Sequence, residues 1–128
     1  MKTSDDIESY LIRMDQPFET IGENMWLLKE GDLSSGIVLK IAGPLLIFRC
    51  KVMSLPGQQR EACYRTLLEL NASQMCHGAY AIEGDSVILV DALQLENLDF
   101  NEFQASVDDM TMALANHYPV LAKYRAAA

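Results

Sequence analysis

Cys76-His77 is the pair in this sequence whose side chains look most like chemistry. A thiol beside an imidazole is the raw material of a nucleophile and its base. Adjacent side chains diverge, however, and the sequence offers no evident acid to orient the imidazole. The same two residues are types that bind metal, but neighbours rarely aim at one ion and no second pair stands at ligand spacing. His117, the other histidine, falls on the apolar spacing of a helix. That marks it as a packed or interface histidine rather than a base. Asp108-Asp109 are helix neighbours, so they point apart and cannot clamp one ion. No nucleophile elbow, P-loop, zincin or dinucleotide fingerprint occurs. The residues therefore predict no catalytic set, no metal ligand and no cofactor, and the chain reads as a non-enzyme.

Composition narrows the class further. The chain has 128 residues, which fits one domain spanning 1–128 with room for one core. Half of it is hydrophobic, which is not a disordered composition. No apolar run approaches the ~20 residues of a membrane span. The start, MKTSDDIESY, is polar and acidic and does not read as a secretory signal. The Asn71-Ala72-Ser73 sequon is accordingly read as chance. Cys50, Cys63 and Cys76 are odd in number and share no Cys-x-x-Cys spacing, which suits reduced thiols in a cytoplasm. The net charge of −8 disfavours nucleic acid and anionic membrane. It leaves solubility, or a basic or neutral protein partner, as the use of the charge.

The elements follow from period and punctuation. Ile7, Tyr10, Leu11 and Met14 share one helical face, with Ser4 as the expected cap and Pro17 as the stop. Three strands are expected next: Ile21 to Lys29, Ile37 to Ala42 and Leu45 to Met53. The polar run Asp32 to Gly36 reads as a turn. Gly43-Pro44 predicts a tight hairpin turn, because Gly supplies positive φ and Pro suits the second position. Gln58 to Leu70 reads as a helix ending near Asn71, which suits a left-handed position. Strands Ala79 to Glu83 and Ser86 to Leu93 meet at Gly84-Asp85. Asp99-Phe100-Asn101-Glu102 is a capping signal for a long helix. Its stripe runs through Phe100, Phe103, Val107, Met110, Leu114, His117, Leu121 and Tyr124, with Pro119 expected to kink or restart it. The expected fold class is α+β in the order α-β-β-β-α-β-β-α, an antiparallel five-stranded sheet packed with helices.

Period-two reading gives the sheet two faces. Leu46, Phe48, Cys50 and Val52 share an apolar one. The other mixes Val38, Leu45, Ile47, Val87 and Leu89 with Lys40, Arg49 and Lys51. So apolar a wet face suggests a covering element, a second subunit or a partner chain. The candidate partner-binding residues are Trp26, Leu28, Leu45, Ile47, Arg49 and Lys51. Trp26 and Leu28 enter on the expectation that their strand lies at the sheet edge, with a core position for Trp26 as the alternative.

One stretch ties these elements to a known layout. Leu67-Leu68, Asn71, the Gly78-containing strand start, Gly84-Asp85, Leu93-Gln94-Leu95 and Leu98-Asp99 precede a long helix. That succession resembles the C-terminal half of the Tir-chaperone (CesT) family, the class I type III secretion chaperones. It also resembles the YbjN family of bacterial proteins, which is similar in fold. The resemblance implies a small acidic cytoplasmic bacterial protein, homodimeric and without enzymatic activity. It implies a protein that holds an extended segment of a cognate secreted effector on hydrophobic patches, often by strand addition. A YbjN-like regulatory or scaffold domain that binds a folded protein is the alternative. An enzyme or small-ligand binder built on Cys76 and His77 is the third reading.

Overall fold

A computed structural model describes residues 1–29 and 36–125. Helix α1, Ser4–Arg13, opens the chain and is followed by strands β1 (Phe18–Gly22), β2 (Met25–Leu28), β3 (Ile37–Ala42) and β4 (Leu45–Ser54). Helix α2 (Arg60–Ser73), strands β5 (Ala79–Glu83) and β6 (Ser86–Gln94) and helix α3 (Phe100–Arg125) complete it. The sheet is antiparallel with strand order β1-β2-β3-β4-β6-β5. The α+β class and antiparallel sheet are as expected, but the sheet has six strands rather than five.

The extra strand comes from the segment read as one strand from Ile21 to Lys29. It is a hairpin in which Phe18 faces Leu28 and Gly22 faces Met25, and Asn24 turns the chain at φ 57°. Asn is among the few residues that enter the left-handed region cheaply, so Glu23-Asn24 was the missed turn signal. The two expected hairpins are present. Ala42 pairs Leu45 across Gly43-Pro44, and Glu83 pairs Ser86 across Gly84-Asp85. The turn expected from Asp32 lies outside the described residues except for Gly36.

The helices follow their stripes. Ile7 and Leu11 of α1 are fully buried. The cap is Thr3 rather than Ser4, and Asp6 accepts from the Thr3 backbone N–H at 2.8 Å. In α3 the buried set contains Phe103, Val107, Met110, Leu114, His117, Leu121 and Tyr124. Pro119 does not restart this helix, which runs unbroken from Phe100 to Arg125. The ring is solvent-exposed, so the carbonyl left without its N–H donor can turn to water.

Asp99 caps α3 as its sequence predicts, accepting from the Glu102 backbone N–H at 2.8 Å. Asp99→Ala should lower stability by about 0.5–2 kcal/mol. Urea melts check it, and an unchanged midpoint would show the cap to be idle.

One cluster of buried side chains lies between the sheet and helices α1 and α3, and Cys63, Leu67 and Leu70 of α2 join it. Phe48 of β4 meets Phe103 of α3 with ring centroids 5.9 Å apart, and Phe103 meets Tyr10 of α1 at 5.4 Å. The Tyr10 hydroxyl donates to the Leu98 carbonyl at 2.8 Å. Helix α2 lies beside the β5 edge, joined to α3 where Thr66 and Tyr124 hydroxyls meet at 2.8 Å.

Candidate partner-binding surfaces

Trp26 and Leu28 cannot meet a partner, because they are 1% and 0% exposed. The hairpin explains this: β1 is the edge strand and shields β2 from it. The Trp26 indole N–H donates to Glu8 of α1 at 3.1 Å, so its one polar atom is satisfied inside the fold. Leu45 and Ile47 are half-buried and Arg49 and Lys51 exposed on the sheet face away from the helices.

The make-up of that face differs from the period-two reading in one strand. Arg49 lies opposite Val90 and Lys51 opposite Ile88. Ile88 and Val90 therefore share the outer face, while Val87 and Leu89 are fully buried in the core. Alternation within β6 was visible, but only its register against β4 says which set faces out. A register shift between Lys51 and Met53 also brings Met53, 7% exposed, into the core where Val52 was expected. Arg49 forms an ion pair with Glu83 across β6.

The two edges of the sheet are unequal. At β5, the Asn71 side chain accepts from the Tyr80 backbone N–H at 2.7 Å and donates to the Tyr80 carbonyl at 3.0 Å. An amide side chain thus imitates a neighbouring strand and closes that part of the edge. Asn71 was expected to end α2, but the helix continues to Ser73. Strand β1 carries no such plug among the described residues. Lys29 donates its backbone N–H to the Pro17 carbonyl at 3.1 Å. Antiparallel alternation then turns Glu19 towards β2 and the amides of Phe18 and Thr20 outward. Ile21 lies on this edge and is 43% exposed.

An apolar groove of about 200 Å³ runs between α2 and β5, lined by Tyr64, Leu67, Leu68, Tyr80, Ala81 and Ile82. Leu68 is 68% exposed beside it. Beneath the groove the Tyr80 hydroxyl lies 2.7 Å from His117 Nδ1. Burial lowers the His117 pKa and raises that of the Tyr80 hydroxyl. The imidazole is therefore neutral near pH 7, with Nδ1 hydrogen-bonded to the hydroxyl.

This pair sets a pH dependence. The unfolded chain binds a proton at His117 near its ordinary value of 6.5, and the folded chain binds it only at lower pH. Its contribution is present above pH 6.5 and is lost as pH falls through the depressed value. Wild type should lose stability as pH falls below His117's ordinary value of 6.5, and His117→Gln should flatten that slope. Parallel slopes in urea melts of the two proteins would show that His117 is not the group responsible.

Cys76 and His77 gain one feature the sequence hid. His77 Nε2 lies 3.3 Å from the Asp109 carboxylate, so an orienting acid does exist, brought across from α3. No hydrogen bond joins Cys76 to His77 among the described residues, and the Cys76 side chain is exposed. Cys50 and Cys63 are buried, and burial pushes the Cys50 thiol up to about 11. Among the described residues no group of His, Cys, Asp and Glu could hold a metal, and no helix is long and apolar enough to cross a membrane.

The CesT_Tir_1 family model matches residues 1–127. The chain belongs to the CesT_Tir_1 family. Solved structures agree on the fold. YbjN from E. coli superposes with a TM-score of 0.69 at 12% identity, over 92% of this chain and 93% of that one. A chain of the heterodimeric ExoU–SpcU complex from the Pseudomonas aeruginosa type III secretion system gives 0.71 at 13%, over 88% and 95%. A chain of the complex between the Yersinia pestis type III secretion chaperone SycH and a stable fragment of YscM2 gives 0.64 at 14%, over 88% and 97%. At such identities these likenesses establish a shared fold, and the family match adds the kinship of this CesT_Tir_1 chain. No functionally curated protein matches the sequence itself.

Proposed function

We propose that this chain is a non-enzymatic, type III secretion chaperone-like protein of the cytoplasm that holds a segment of a cognate partner protein. The observation that carries the reading is the inequality of the sheet edges. Asn71 closes β5 at Tyr80, whereas the outward amides of β1 stand open beside exposed Ile21. An extended segment can add there as a further strand, with main-chain hydrogen bonds for affinity and alternate side chains for selectivity. SpcU and SycH were solved in complexes with other proteins, which supports a protein partner.

Thr20→Pro tests the reading. It removes one outward N–H and leaves the bonds between β1 and β2, and an edge strand tolerates proline. Tagged wild-type chain, expressed in its native host, should co-purify with a partner identified by mass spectrometry. The proline variant should melt normally and lose that partner. A partner retained by the variant would favour the second reading, a YbjN-like regulatory or scaffold domain binding a folded surface, for which YbjN's superposition is the support.

The same proposal includes a homodimer. Leu68 projects from α2 next to the groove between α2 and β5. A two-fold axis through that patch lets each copy's Leu68 enter the other's groove, as an isologous interface requires. Leu68→Asp should convert the dimer to monomer in light scattering without lowering the melting midpoint. A monomeric wild type at tens of micromolar would remove the dimer from the proposal.

A further inference from the structure

We infer that the sheet face turned away from α1 and α3 docks an acidic, amphipathic helix from a partner protein. This rests on the partner-holding reading above and assigns a second surface to it.

The face is broad. Leu27 of β2, Val38 of β3, Leu45 and Ile47 of β4 and Val90 of β6 stand half-buried on it, with Lys40, Arg49 and Lys51 exposed among them. The contacts of α1 and α3 with the sheet lie on the opposite face, through Trp26 and Phe48. No helix among the described residues covers this one.

Backbone hydrogen bonding decides the form of the occupant. Strands β2, β3, β4 and β6 each have a neighbour on both sides. Their amides and carbonyls are committed to the sheet, so an extended chain laid on the face finds no backbone partners. A helix brings its own hydrogen bonds and needs only an apolar stripe. Strand addition belongs to the β1 edge, and a helix to this face.

Charge decides its chemistry. The chain carries a net charge of −8, yet Lys40, Arg49 and Lys51 stand on this one face against two acids, Glu19 and Glu83, each of which already holds a cation, Lys29 and Arg49 respectively. Lys40 and Lys51 form no ion pair among the described residues. Lys40 lies opposite Ile47, four residues before Lys51 on β4. The two ammonium groups are thus rooted about 15 Å apart on the sheet, a distance covered by about ten residues of helix. The occupant is a helix of at least that length, with an apolar stripe flanked by Asp or Glu.

The test displays a library of helix-forming peptides of about 18 residues, long enough to be helical in water, against the immobilised full-length chain. Flanking positions are randomised among Glu, Gln and Lys, and a parallel library carries proline to prevent helix. The expected winners are acidic and come from the helical library. A synthetic winner, followed by fluorescence anisotropy, should bind about tenfold or more weaker to Lys40→Glu/Lys51→Glu. If that variant melts lower than wild type, Lys40→Gln/Lys51→Gln replaces it, with a smaller loss in the same direction. No winners, basic or proline-containing winners, or binding unmoved by the replacements would overturn the inference. Dispersal of a wild-type dimer by the charge reversal would also overturn it, assigning the face to a second copy. Capture of the native partner is followed in parallel. Capture without any helical winner removes this surface and leaves the holding function standing, whereas absence of capture removes the holding function alone.

Discussion

Trp26→Ala should cost about 3–5 kcal/mol and sharply lower the melting midpoint. The side chain is 1% exposed and sits in the cluster that also contains Ile7, Leu11, Leu39 and Phe103. Truncation removes more atoms than the surrounding strands can collapse to replace. It also strips Glu8 of the indole N–H that it accepts at 3.1 Å. A domain with a typical stability of about 5–15 kcal/mol loses a large share in one step. The chain has one tryptophan, so the melt is followed by circular dichroism rather than intrinsic fluorescence. Trp26→Phe serves as the comparison: it keeps most of the volume, loses the bond to Glu8 and should cost much less. An alanine variant with a wild-type midpoint would mean that Trp26 is not a core anchor, and the surface reading of this residue would return.

The second large effect is Gly78→Ala. Gly78 holds φ at +83°, and a Cβ there would stand 2.8 Å from the Val90 carbonyl oxygen. Both atoms of that collision are held by backbone, so neither can swing aside. The conformation alone costs a residue with a side chain about 1–3 kcal/mol, and the collision adds a comparable overpacking cost, about 1–3 kcal/mol. Gly84→Ala isolates the first component. Gly84 has φ +60° but nothing within 4 Å of the added Cβ. The alanine at 78 should therefore lower the urea midpoint more than the alanine at 84. Equal losses would show that β5 shifts freely away from β6 at its start. That result would also weaken the view of β5 as an edge fixed by Asn71 and His117.

These two residues differ in how far the sequence alone could read them. Trp26 was visible as the single tryptophan in a strand of poor alternation, and a core position was one of its two readings. The missing fact was the Glu23-Asn24 turn, which adds β1 and moves β2 away from the edge. Gly78 was visible as part of a familiar succession of residues. The carbonyl that forbids a side chain there belongs to β6, and nothing near Gly78 in sequence announces it.

The sequence by itself determined what depends on neighbours along the chain. Gly43-Pro44 and Gly84-Asp85 specify their turns through φ at one glycine each. Asp99 caps α3 through a bond spanning three residues. The stripes of α1 and α3 follow from the pitch of a helix, and family kinship follows from the succession of these elements. Tertiary structure decided what depends on register and approach. The pairing of β6 with β4 turned Ile88 and Val90 outward and buried Val87 and Leu89. The fold brought Asn71 to the β5 edge, Asp109 to His77 and His117 to Tyr80. Each of these contacts joins elements whose separation in space is set by the packing of the whole core. Local periodicity carries no record of that packing, because alternation says that two sets of side chains part company but not which of them the neighbouring strand will bury.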